Sequence, residues 1–370
     1  MPFSYWEHKT WLSNIDFTII GSGIVGLNSA IRLREKFPKA KILVLERGIL
    51  PNGASTKNAG FACFGSLSEI LDDLHTHSEE EVLQLVQKRY KGLQLLRKNL
   101  GSTNIDYIAD GGYELFTETD HNLYETCLSK MENINSFLKP IFKEDVFLPK
   151  DNIFNFKNIQ PQYIVNQFEG QIDTGKMMDA LLRKTQICDI KILNNCSVQA
   201  LTDTNDSVEI KTDHFTLSSN KVLIATNGFA SQLGLKEVKP ARAQVLITKP
   251  IQNLHIKGTF HLDRGYYYFR NIDDRILFGG GRNLDFKTEE TTELTQTTLI
   301  QQKLEELLQT VILPDKNFEI EHRWSGIMGV GNQKKSIVKQ ISNNVFCGVR
   351  LGGMGVAIGS LVGKELADLL

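Results

Sequence analysis

Asp16-Phe17-Thr18-Ile19-Ile20-Gly21-Ser22-Gly23-Ile24-Val25-Gly26 opens a segment, running to Phe61, whose reading decides the fold. A strand-like apolar run enters closely spaced glycines, and a helix with Ile24, Leu27 and Ile31 on one face follows. The next apolar run, Ile42-Leu43-Val44-Leu45, ends in Glu46 and Arg47. After it comes a small-residue loop, Gly53-Ala54-Ser55-Thr56-Lys57-Asn58-Ala59-Gly60-Phe61. Gly21 permits a tight turn, Gly23 lets backbone approach a pyrophosphate, and Gly26 lets the helix pack on the strand. The phosphates then meet free N–H groups at the helix N-terminus. Glu46, twenty residues beyond Gly26, is placed to accept hydrogen bonds from a ribose hydroxyl. Strand, glycines, helix, strand and acid in this order predict a dinucleotide-binding βαβ unit.

Outside this unit, 370 residues suggest two domains or one discontinuous pair. A net charge of −1 gives no reason to expect nucleic acid or an anionic membrane as partner. Five cysteines, without a C-x-x-C pair, read as reduced thiols of a cytoplasmic protein. The opening Met1-Pro2-Phe3-Ser4-Tyr5-Trp6-Glu7-His8 lacks the form of a secretory signal. No apolar run approaches the ~20 residues of a membrane span, and Lys364, Glu365 and Asp368 interrupt the last apolar stretch. The histidines at 8, 75, 77, 255 and 261 show no metal-ligand spacing, so no metal is expected.

Further along, Ser78 and Glu81 form a capping box before a helical stripe from Val82 to Leu100. A strand over 112–116 and a helix through Cys127 and Leu138 follow, so an insertion is expected to begin near residue 70. Asp173-Thr174-Gly175 opens a helix, residues 190–193 read as a strand, and 221–228 read as a buried strand ending in a glycine turn. Residues 240–281 are β-rich, with a hairpin turn expected at 271–274. A helix is expected over 291–311, before Pro314, and the glycine-rich 348–363 stretch leads into a final helix.

Together these motifs resemble the FAD-dependent amine and amino-acid oxidase superfamily, the group of D-amino-acid, glycine and sarcosine oxidases, over nearly the whole chain. The carriers are the Gly21 to Glu46 fingerprint, Gly53-Ala54-Ser55 with Asn58-Ala59-Gly60, the Ala225-Thr226-Asn227-Gly228 turn, and Gly352-Gly353-Met354-Gly355. Ser4-Tyr5-Trp6 and Trp324-Ser325-Gly326 lean toward the γ-glutamylputrescine oxidase-like branch. The resemblance implies an α/β fold: a Rossmann-like FAD-binding domain (1–72, 151–235, 322–370) interleaved with an α+β substrate domain (73–150, 236–321) on a mostly antiparallel sheet. The FAD contacts it implies are Gly21, Gly23, Ile24, Val25, Gly26, Glu46, Arg47, Ala54, Ser55, Asn58, Ala59, Gly60 and Phe61. They continue with Val198, Ala225, Thr226, Asn227, Gly228, Trp324, Gly326, Gly352, Gly353, Met354 and Gly355. A long, resident cofactor also accounts for glycine turns at both ends of the chain better than a nicotinamide does.

The resemblance further implies hydride transfer from the carbon beside an amine, with the imine then hydrolysed. Tyr266 falls on the family's substrate-facing tyrosine; alternation places Tyr268 and Arg270 on the same face. The same residues also suit an aromatic sheet that needs no ligand. Amino-acid oxidases of the group carry a carboxylate-clamping arginine where this chain has Met328. Either the substrate lacks an α-carboxylate, or Arg264, Arg270, Arg282 or Arg350 takes over. Residues 324–331 contain no cysteine to tether the flavin, so FAD is expected to be non-covalent. Leu277 stands where sarcosine-type enzymes use a lysine to activate oxygen, and Lys57 is the lysine expected near the flavin ring. The electron acceptor is molecular oxygen, or in the rival readings a quinone or carrier protein; a third reading is an FAD-binding protein acting on a macromolecule.

Overall fold

The opening apolar runs form strands Ile15–Ile20 and Ile42–Leu45, paired in parallel and joined by helix Ile24–Lys36. All four residues of the second strand are buried, as in a parallel strand covered on both faces. Strand Thr216–Ile224 pairs in parallel on the other flank of the first strand, and Val345–Val349 and Lys191–Leu193 extend the parallel core on the two sides. The chain therefore leaves the first strand in both directions, which opens a crevice beyond its carboxyl end. Strands Ile337–Gln340, Val198–Asp203 and Val208–Thr212 complete eight strands. The computed structural model describes residues 3–370; Met1 and Pro2, the head of the N-terminal reading, lie outside the described residues.

A second eight-stranded sheet runs in the order Ile320–Val330, Lys239–Thr248, Arg275–Gly280, Tyr267–Ile272, Thr259–Leu262, Gly112–Glu114, Gln162–Asn166, Phe147–Asp151. Every pairing is antiparallel except that of Thr259–Leu262 with Gly112–Glu114. Its far face buries Phe260, Phe269 and Phe278; the first two rings stack at 4.6 Å and the last two meet edge-on at 5.8 Å. The expected hairpin turn is present, with Asp273 and Asp274 both at positive φ.

The two sheets cut across the expected division of the chain. Strands Gln162–Asn166 and Ile320–Val330, assigned by sequence mostly to the cofactor domain, hydrogen-bond into the second sheet. Helix Glu79–Leu100, assigned to the substrate domain, packs against the final helix Gly355–Asp368: a Cβ on Gly92 would come within 2.2 Å of the Ala357 carbonyl. The helix expected over 291–311 begins only at Thr298. Ahead of it, buried side chains hold the chain irregular. Glu289 forms a bidentate pair with Arg242 (2.8 and 2.6 Å), and Gln244 Oε1 accepts from Thr297 N at 2.9 Å. These bonds substitute for the helical ones the sequence pattern suggested.

Candidate functional site

At the carboxyl end of the first strand, Gly21 takes φ +105°, and an added Cβ would stand 2.9 Å from the Ala225 carbonyl. Helix Ile24–Lys36 then begins with its N–H groups facing the crevice. Ile24 N donates to Ser55 Oγ at 2.9 Å, while Val25 N and Gly26 N have no protein acceptor among the described residues. Glu46 is buried and held in place: Oε2 accepts from Ser22 N (3.1 Å) and Ser22 Oγ (2.7 Å), and Oε1 from Gly48 N (2.9 Å). Beside it the Arg47 guanidinium lies 3.5 Å from the centre of the Phe229 ring, and burial pulls its pKa down. Among the described residues Thr226 Oγ1 is buried without a hydrogen-bond partner, a polar atom free to meet a ligand.

These groups line one cavity of about 860 Å³ that continues between the two sheets. Of the sequence-predicted residues, Gly21, Gly23, Ile24, Val25, Glu46, Arg47, Ala54, Ser55, Asn58, Ala59, Phe61, Val198, Ala225, Thr226, Asn227, Gly326, Gly352, Gly353, Met354 and Gly355 all reach its wall. So do Lys57, Tyr266, Tyr268 and Met328. Two distant turns meet here because Asn227 Oδ1 accepts from Leu351 N at 3.2 Å. Gly352 takes φ +60° with open space around it, and the Met328 sulfur would lie 3.9 Å from a Cβ at Gly353.

Five expected contacts stand behind the wall instead, each for a packing reason. A Cβ on Gly26 would lie 1.9 Å from the Gly21 carbonyl, one on Gly60 2.4 Å from that of Ile172, and one on Gly228 2.6 Å from that of Met328. Trp324 Nε1 donates to the Lys57 carbonyl at 3.0 Å, bracing the flavin-type loop from the strand beneath. Arg270, expected at the substrate, is buried; its Nη1 donates to the Ile172 carbonyl at 2.8 Å, and burial pushes its pKa down to about 10. It is tied to the backbone and does not face the cavity.

At the second-sheet end, Tyr266 precedes the strand rather than opening it: its N donates to Asp263 O at 3.0 Å and its O accepts from Gly281 N at 2.9 Å. Tyr268 is packed edge-on to Phe61 at 5.6 Å, and burial pushes its phenol up to about 12. Tyr267 and Phe269 point the other way, into the aromatic core. Opposite Tyr268 in the ladder lies His261, which the sequence reading weighed only as a metal ligand. It is buried and lines the cavity, and among the described residues its Nε2 has no hydrogen-bond partner, standing 3.7 Å from Glu169 Oε2. Burial lowers the His261 pKa, but the carboxylates of Glu169, Glu69 and Glu114 more than offset this, so the net shift is upward. Arg89, also unforeseen, reaches the wall with Nη1 donating to the Phe64 carbonyl and Nε buried without a partner. Its signal was a charge on the apolar stripe between Val86 and Leu93, both buried on the same helix.

A free helix N-terminus, a buried acid at the end of the second strand and an orphaned threonine hydroxyl fit the two halves of a dinucleotide. Comparison with known proteins agrees. The family described as FAD dependent oxidoreductase (DAO) matches residues 16–369. "Probable oxidoreductase OrdL" of Haemophilus influenzae is 20% identical over 98% of this chain and 84% of its own length. Gamma-glutamylputrescine oxidoreductase of Escherichia coli is 21% identical over 96% of the chain and 83% of its own length. The crystal structure of glycine oxidase from Geobacillus kaustophilus superposes with a TM-score of 0.77 at 17% identity, covering 96% of this chain and 94% of that one. The cavity thus lies in a fold shared with solved flavoenzymes, and the chain belongs to the DAO family of FAD-dependent oxidoreductases.

Proposed function

We propose that this protein oxidises the C–N bond of a small amine or amino acid, with FAD held non-covalently across the first sheet. The observation that carries the reading is the continuity of one cavity from the dinucleotide cradle at Gly23 and Glu46 to the wall bearing Tyr266 and Tyr268. Glycine and γ-glutamylputrescine, to which the names of two relatives refer, are amines of this size class. The residues suited to hold FAD are the helix N-terminus at Val25 for the pyrophosphate, Glu46 for ribose, and the 352–355 turn for the ring. Bound FAD supplies a two-electron acceptor for hydride from the carbon beside the amine; water then hydrolyses the imine left on the substrate.

The side chains orient the substrate and keep the site dry. The Tyr268 phenol, raised to about 12, stays protonated at working pH and donates a hydrogen bond rather than accepting a proton. Phe61 and Tyr268 close an apolar wall over Ala59, Val245 and Leu277. Two cysteines reach the cavity, Cys63 and Cys196, and burial raises both thiols, the second to about 11. Protonated thiols are poor nucleophiles, which supports the absence of a covalent tether.

The test is a purified protein that is yellow, releases its flavin on acid precipitation, and is bleached anaerobically by amines. A protein that stays colourless after incubation with FAD would sink the reading. Leu277 is buried and supplies no cation at that strand position, which weakens the oxygen-linked reading and leaves a quinone or carrier protein as the rival acceptor. Peroxide formed stoichiometrically with a bleaching substrate would overturn that second point.

A further inference from the structure

One row of residues runs in register across the second sheet. Glu114 pairs with His261, His261 with Tyr268, Tyr268 with Gly279, Gly279 with Val245 and Val245 with Trp324. Residues directly opposite one another share a face of the sheet. Val245 and Trp324 make one end of the row apolar, Glu114 makes the other acidic, and His261 stands at the change-over. It is only 6% exposed, yet it reaches the cavity, and its ring meets Phe61 edge-on at 5.2 Å.

Behind the imidazole, Glu169 is immobilised. Its Oε1 accepts from Phe64 N at 2.7 Å and Gly65 N at 3.2 Å, while Oε2 stands 3.7 Å from His261 Nε2. A carboxylate there favours the tautomer with its hydrogen on Nε2, which leaves the lone pair on Nδ1. The other charged or titratable groups around the ring are engaged. Glu114 accepts from Ser66 Oγ at 2.8 Å and Ser68 N at 3.1 Å, and Glu69 Oε2 accepts from Ser66 N at 2.9 Å. Arg89 is tied to the Phe64 carbonyl, and Arg264 lies between Asp72 and Asp263. Burial raises the Cys63 thiol and the Tyr268 phenol, so both stay protonated.

An aliphatic amine reaches the protein as an ammonium ion, with a pKa of about 10. Its nitrogen lone pair must be freed before the neighbouring carbon can give up hydride. We propose that His261 is the catalytic base that takes the ammonium proton, with Glu169 as its positioning residue. The N–H bond breaks, its electron pair stays on nitrogen, and the proton is bonded to His261 Nδ1; nothing is oxidised or reduced in this step. The imidazolium faces Glu169, and its proton passes to water as product leaves. The upward shift of the His261 pKa brings it closer to that of an ammonium, which makes it a better matched base. The proposal rests on the amine-oxidation reading above.

The test is anaerobic reduction of the FAD-loaded protein by a bleaching amine from pH 6 to 10, read as the reduction rate constant over Kd. For the wild type this ratio should level off above the ionisation of His261. In His261→Gln only amine that is already neutral reacts, so the ratio should climb about tenfold per pH unit toward the amine pKa. The deficit should be about a hundredfold near pH 8 and close by pH 10, whereas a merely structural role would give the same deficit throughout. Glu169→Gln keeps an acceptor for Phe64 N and Gly65 N without the charge, and should move the wild-type limb to lower pH. An NMR titration of the ring resonance missing from His261→Gln should show that same shift with no substrate present. Parallel profiles for wild type and His261→Gln would overturn the base and leave the amine reading standing. An unmoved limb in Glu169→Gln would overturn the positioning role, and a flavin bleached by no amine at any pH overturns both proposal and reading.

Discussion

His261 faces Tyr268 across the ladder with Glu169 Oε2 3.7 Å from its Nε2, and its charge state follows from those neighbours. Because the folded-state pKa is raised above the ordinary 6.5, the protonated imidazole stabilises the fold. That contribution is complete below about pH 6.5 and is lost as pH rises through the higher folded value. Urea midpoints measured from pH 6 to 9 should therefore fall more steeply for the wild type than for His261→Gln; parallel slopes would contradict this. At this scale the place of Glu46 on the cavity wall was legible in the sequence, because a motif fixes its distance from the glycines. Arg270 and Trp324 were misplaced by one layer. A motif says which backbone lies near a ligand, but whether the side chain faces the ligand or braces the wall depends on what packs behind it. For Arg270 that neighbour is the Ile172 carbonyl, remote in sequence.

Among the elements, residues 291–297 show side-chain bonds overriding a helical pattern. Their anchor, the Arg242–Glu289 pair, is almost fully buried, at 3% and 0% side-chain exposure. Arg242→Met would leave the Glu289 carboxylate buried and unpaired, at a cost of about 3–5 kcal/mol. The double variant Arg242→Met/Glu289→Leu should recover most of that loss. Chemical denaturation of both variants checks it, and equal losses would show that the pair itself is not the anchor. That the 53–61 loop and the 352–355 turn reach one cavity was readable because small residues in fixed order have few uses. The start of helix Thr298–Leu307 was not, since Gln244 and Arg242 lie some fifty residues earlier in the chain.

Across the whole molecule, the cavity joins segments from residue 20 to residue 356, so a ligand filling it would tie both ends of the chain together. A group that binds the folded state alone raises its stability by about 2.7 kcal/mol at a hundredfold excess over Kd. The melting temperature of the apoprotein should accordingly climb with FAD concentration, and Glu46→Ala should shift that curve to higher FAD. A melting temperature independent of FAD would show that the cradle does not bind it in the folded state.

The sequence by itself determined the βαβ cofactor unit, the two sheets in outline and the membership of the glycine turns in one site. Each of these rests on local backbone requirements: a glycine where a Cβ would strike a carbonyl, an acid at a fixed distance, an alternation along one strand. Tertiary structure alone decided which side chains face the cavity and which strands join which sheet. Those outcomes depend on pairings between remote residues, such as Arg270 with Ile172 and Gln162–Asn166 with Gly112–Glu114. No local pattern encodes them, because each partner's position is set by the packing of an entire sheet.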